Sequence, residues 1–109
     1  MLRTNNQSKD PPSPNEINRL IHEPARFQIM SHLYVIESAE ALFLQRQTGL
    51  TWGNLASHLN KLETAGYITI KKDYVGKKPH TMLHLTDKGR TAFKLYHANM
   101  IKVLGSLST

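Results

Sequence analysis

The sequence predicts an α+β domain in which helices bracket one β-hairpin. Three observations predict it. Apolar residues recur at helical spacing up to Gly66, alternate with a period of two to Leu85, and return to helical spacing after Thr86. A tight turn containing Gly49 joins two of the helical patterns. The third observation is charge. The 14 Lys+Arg against 8 Asp+Glu give a formal net charge of +6, and the stretch from Lys61 onward holds nine of the bases but only three of the acids. A neutral half joined to a basic half suits a polyanion met by one face, with a solubilising surface as the alternative.

At 109 residues the chain fits one domain of the usual ~100–150. Residues 1–14 are polar and proline-rich and are expected to be a disordered tail; 15–105 form the folded domain. With no Cys, disulfides, thiolate zinc sites and Cys nucleophiles are excluded. No apolar run reaches the ~18–20 residues of a membrane span, and the polar N-terminus has no signal-peptide stretch. The expectation is a cytoplasmic protein without a membrane partner.

Each element has a local reason. Ser13-Pro14-Asn15-Glu16 reads as a capping box, and Ile17, Leu20 and Ile21 continue it as a first helix from Ser13 to His22. Pro24 stops that helix and opens the next, Pro24 to Glu37, with Ile29, Met30, Leu33 and Ile36 on its core side. Ser38-Ala39-Glu40 is a break that can hold a short strand. Ala41 to Thr48 is a helix burying Leu42, Phe43 and Leu44, closed by Gly49 as a left-handed cap. Thr51 caps the next helix, where Leu55, Leu59 and Leu62 face the core up to Ala65-Gly66. Ile68 and Ile70, then Leu83 and Leu85, alternate inward on two strands joined by a long, Lys-tipped loop from Asp73 to His80. Thr86-Asp87 caps a last helix to about Leu104, with Ala92, Phe93, Tyr96, Met100, Val103 and Leu104 as its apolar stripe.

Helix, helix, tight turn, helix and basic hairpin is the order of a winged helix-turn-helix. The runs Leu20-Ile21-His22-Glu23-Pro24-Ala25-Arg26, Thr48 to Leu59 (TGLTWGNLASHL) and Lys61-Leu62-Glu63-Thr64-Ala65-Gly66-Tyr67 resemble the winged-helix DNA-binding domain of MarR/ArsR-like transcriptional regulators. So do Val75-Gly76-Lys77-Lys78-Pro79 and Leu85-Thr86-Asp87-Lys88-Gly89-Arg90. The resemblance runs from about Ile17 to Lys94. It implies a dimeric, prokaryotic DNA-binding repressor or activator. It also admits an effector crevice between dimer helices and wing, although no convergent polar set names an effector. The thiolate ligands of the metal-sensing branch are absent. The fold class expected is α+β, a winged helix-turn-helix with an extra N-terminal helix and a C-terminal dimerisation helix.

Physics assigns the work to particular residues. A helix fits the major groove, and its outward and N-terminal residues reach base edges. With Leu55, Leu59 and Leu62 inward, that set is Trp52, Gly53, Asn54, Ala56, Ser57, Asn60 and Lys61. Thr51 and the N–H groups of that helix start suit a phosphate. In the wing, Lys77 and Lys78, flanked by Lys71, Lys72 and His80, suit phosphates or the minor groove. Asn54, Ser57, Asn60 and the lysines read equally as a solvated face if no DNA is met. Trp52 has two readings: it touches DNA, or it covers the base of the wing. A protein-docking winged helix, the competing function, would show apolar residues where Asn54, Ser57 and Asn60 stand.

The six histidines (His22, His32, His58, His80, His84 and His97) have no thiol to join them, so no metal site and no cofactor is expected. His58, beside Leu59, reads as a packing residue with its polar edge satisfied. No GxSxG, phosphate loop or catalytic carboxylate pair points to an enzyme. Ile17, Leu20, Ile21, Phe93, Tyr96, Met100 and Leu104 exceed what a helix-turn-helix buries, and a homodimer through these residues is expected.

Overall fold

The computed structural model describes residues 17–107, with side chains to residue 105. The expected tail and the Ser13–Glu16 capping box lie outside the described residues. The elements are α1 (Pro24–Ile36), β1 (Ser38–Glu40), α2 (Ala41–Thr48), α3 (Trp52–Thr64), β2 (Ile68–Val75), β3 (Lys78–Leu85) and α4 (Asp87–Leu107). The expected first helix differs in its described part. Ile17 to His22 is a turn closed by one helical bond, His22 N–H to Asn18 O at 2.9 Å. The Asn18 side chain takes the Ile21 N–H at 3.1 Å, the local competition that disfavours a regular helix.

Proline at the first position and a side-chain cap set the start of α1. Glu23 Oε1 accepts the Arg26 N–H at 2.8 Å. Partial burial pushes the Glu23 carboxyl up, but that bond and the coulombic pull of His58 and Arg26 outweigh it, so its pKa is lowered. Gly49 ends α2 at φ +71, and Thr51 caps α3 by accepting the Asn54 N–H at 3.1 Å. This makes the tight turn of the helix-turn-helix.

The sheet is antiparallel in the order β1-β3-β2, with Leu83 opposite both Ala39 and Ile70. Ile29, Met30 and Leu33 of α1, Leu44 of α2, Leu55, Leu59 and Leu62 of α3, Ile68 and Leu83 form one core. Of the α2 residues expected inside, only Leu44 is; Leu42 and Phe43 are exposed, as is Ile36 at the end of α1. A short helix on the rim buries one face, and three successive residues cannot share it. Four of the expected dimer residues, Ile17, Ile21, Phe93 and Tyr96, belong to this same core. The Tyr96 hydroxyl meets His22 Nδ1 at 2.8 Å, and burial raises its pKa.

The hairpin also differs from expectation. Its strands pair out to Val75 and Lys78, so the connecting loop is only Gly76-Lys77, with Gly76 at φ +65. Glycine with positive φ at the first central position matches a primed two-residue turn. Residues 71–79 are exposed on both faces, so apolar alternation stops at Ile70 while backbone pairing continues. The start of α4 is pinned beneath this hairpin. Thr86 Oγ1 donates to Gly66 O at 2.6 Å and accepts the Gly89 N–H at 2.9 Å. Gly89 packs so closely that a Cβ there would overlap the Tyr67 carbonyl. Among the described residues no helix is long and apolar enough to cross a membrane.

Candidate nucleic-acid interface

The α3 helix is amphipathic, and its inner stripe sets which residues point out. With Leu55, Leu59 and Leu62 buried, Thr51, Trp52, Gly53, Asn54, Ala56, Ser57, Asn60 and Lys61 are all exposed. The side chains of Asn54, Ser57 and Asn60 have no hydrogen-bond partner among the described residues, whereas Thr51 spends its hydroxyl on the cap. The first N–H groups of α3, those of Trp52 and Gly53, have no intrahelical acceptor by the geometry of a helix start. Gly53 has open space where a Cβ would stand, so this end of the helix presents bare backbone.

Two substripes separate on the exposed face. Trp52, Ala56 and Asn60, at i, i+4 and i+8, line a cavity of about 180 Å³ with Ile70, Lys72 and Thr81 of the hairpin. Trp52 is 54% exposed and lines this cavity on the side facing the base of the wing. Gly53 and Ser57 lie farther round, opposite the core. Lys61 falls at the other end of α3, in a shallow groove with Leu20 and Thr64, away from the wing. Sequence reasoning missed Thr64, which continues the Gly53-Ser57-Asn60 spacing by one turn and is exposed. It also missed Arg46, the exposed base in the last turn of α2.

Arg26 of α1 holds the orientation of α3. Its Nε donates to Leu20 O at 2.6 Å and its Nη1 lies 3.0 Å from His58 Nδ1 on α3. Glu23, Pro24 and Arg26 thus form one device, which gives a physical reason for that run of residues. His58 is the packing residue expected of it, with Glu23 Oε1 3.8 Å away.

The wing carries Lys71, Lys72, Lys77 and Lys78, all exposed and none paired with a carboxylate among the described residues. His80 is different. Its ring stands between two carboxylates, Nε2 at 2.9 Å from Glu40 Oε2 and Nδ1 at 3.3 Å from Asp73 Oδ1. It is engaged within the protein rather than presented as a free flanking base. His80 and His84 are four residues apart, but on β3 that spacing does not converge on one ion, and no group of three or more such side chains among the described residues is arranged to hold a metal ion.

Comparison with known proteins agrees with this geometry. A family model described as a winged helix DNA-binding domain matches residues 25–104. An uncharacterised protein of Methanocaldococcus jannaschii is 37% identical over 78 residues, which is 72% of this chain and 85% of that protein. A transcriptional regulator homologue from Pyrococcus horikoshii OT3 superposes with a TM-score of 0.76 at 29% identity, covering 83% of this chain and 89% of that one. A PadR family transcriptional regulator from Eggerthella lenta shares the fold, with a TM-score of 0.63 at 18% identity over 82% of this chain and 86% of its own. With four helices around a three-stranded antiparallel sheet, and with most of its length matched, this chain belongs to the winged helix DNA-binding domain family.

Proposed function

We propose that the protein is a homodimeric transcriptional regulator that binds double-stranded DNA with sequence preference. In this reading α3 enters the major groove while the lysine wing meets phosphates or the minor groove. One observation carries it: the outward stripe of α3 is small and polar, its side chains unengaged, beside a wing of unpaired lysines. A protein-docking surface at the same place would bury large apolar groups, and this stripe offers only Trp52 and the small Ala56. Asn54, Ser57 and Asn60 would read base edges, Gly53 and Ala56 would let the helix approach, and Thr51, Lys61, Arg46 and the wing lysines would hold phosphates.

The dimer would rest on only part of the set the sequence suggested. With Ile17, Ile21, Phe93 and Tyr96 spent on the core, the spare apolar surface is on the distal half of α4. Met100 is half-buried, and Ile101 and Leu104 are exposed beside it. A second copy packed along this stripe would present two α3 helices to successive major grooves, about 34 Å apart on a pseudo-palindrome. Selection from random duplexes at two salt concentrations tests the whole reading. Recovery of a two-fold-symmetric site with half-sites one helical turn apart is expected; recovery of no common sequence would contradict it.

A further inference from the structure

β1 ends at Glu40, opposite Met82, and beyond that pair β3 has only β2 for a neighbour. From there the hairpin projects as two strands, an arrangement marginal on its own in water. His80 is the next residue after Met82 on that face of β3, and it sits where a third strand would have continued. Its ring bridges Asp73 on β2 and Glu40 on β1. Glu40 also occupies the N-cap position of α2, yet its side chain makes no capping bond there. A single imidazole therefore ties the free part of the wing to the root of the helix-turn-helix.

We infer that His80 is a positioning residue for DNA binding: as the imidazolium, it fixes the wing relative to the end of β1 and the start of α2, and masks two carboxylates beside the wing lysines. The inference rests on the DNA-binding reading and adds a regulation to it. Carboxylate oxygens only accept hydrogen bonds, so both ring nitrogens donate only when the ring is protonated. The neutral ring turns one lone pair toward a carboxylate and releases that side of the bridge. Lys71 and Lys78 flank the site on the same sheet face, and Lys72 lines the adjoining cleft. With the ring neutral, Asp73 and Glu40 stand uncompensated among these lysines and oppose the phosphates the lysines attract. DNA affinity should therefore be higher in acid, where the ring carries its second proton, than in base.

The test is duplex binding by fluorescence anisotropy, on a 20-base-pair duplex at constant ionic strength, between pH 8 and pH 5.5. Wild-type affinity should rise about three- to fivefold on acidification, the size of one partly exposed ion pair. His80→Gln should bind weakly with a flat profile, and His80→Lys should bind tightly at both ends. Glu40→Gln combined with Asp73→Asn keeps the imidazole but removes what it acts through, and should also lose the rise. Persistence of the rise in that double variant means that His80 contacts phosphate directly, and persistence in His80→Gln assigns it to another histidine; either overturns the inference. Hydrogen exchange without DNA gives an independent readout, since amides of residues 72–78 should lose protection in His80→Gln while core amides do not. Wild-type protein that binds no duplex at any pH contradicts the DNA reading itself and removes this inference with it.

Discussion

Ser57, Asn60 and Gly53 separate what α3 does for the fold from what the proposed DNA binding would ask of it. Replacing Ser57 or Asn60 with Ala breaks no hydrogen bond within the protein, so thermal stability should hold. Discrimination against non-cognate duplex should fall by about 1–3 kcal/mol for each base-edge interaction removed. Competition binding against a scrambled duplex checks this, and unchanged discrimination would return these side chains to the solvated face. Gly53→Ala makes the sharper case. A Cβ meets open space there, and alanine in place of a helical glycine is worth about 0.5–1 kcal/mol of stability. The variant should melt higher yet bind DNA less well, because in the proposed docking the added methyl sits where the helix would approach the groove. The outward set was legible in the sequence because three leucines at helical spacing define one face and leave the rest by subtraction. His80 was not. Its partners lie 7 and 40 residues away, and pairing at that separation follows from strand register, which residue spacing does not report.

At the scale of elements, the helix starts and stops were legible where a proline, a glycine or a capping side chain enforces them: Pro24, Gly49 and Thr51 all act as their chemistry requires. The wing was misjudged because apolar alternation reports burial while strand pairing is a backbone matter. Past Ile70 the hairpin leaves the core, and the pattern ends well before the turn at Gly76. Gly89 explains a glycine inside a helix, where propensity alone counts against it. Gly89→Ala should lower stability by about 3 kcal/mol, at the upper end for overpacking, with a Tm drop of more than about 10 °C. A calorimetric scan showing an unchanged Tm would refute the close approach to Tyr67. Glu23 gives a pH dependence. Its folded pKa lies below the unfolded one, so the stability it adds is present above the ordinary carboxylate range and is lost as pH falls through the folded value. Glu23→Gln should cost about 0.5–1 kcal/mol at neutral pH, allowing for its partial exposure, and the gap to wild type should close in acid. A urea titration that shows the same gap at pH 3 and pH 7 would contradict it.

Across the whole molecule, burial redistributes the apolar residues that the sequence sets aside for a partner. One chain's core takes four of the seven, which hydrophobic periodicity could not foresee because a core stripe and an interface stripe look alike. What remains is the distal part of α4, in a body 55 Å long and only 22 Å thin. Ile101→Glu with Leu104→Glu replaces no buried residue, so the fold should persist while sedimentation shows a single-chain mass in place of the two-chain mass expected of the wild type. A wild-type mass of one chain would remove the dimer. The basic excess has its place on the same scale: four of the nine bases beyond Asn60 stand on one hairpin next to the polar stripe of α3. The most direct measurement of the central claim is the slope of log Kobs for duplex binding against log salt, in wild type and in Lys77→Ala with Lys78→Ala. The slope should be steep in the wild type and shallower in the variant by about 0.9 for each phosphate no longer neutralised, with affinity reduced alike for all sequences. Identical slopes in the two proteins, or a wild type with no affinity for duplex DNA, would contradict it.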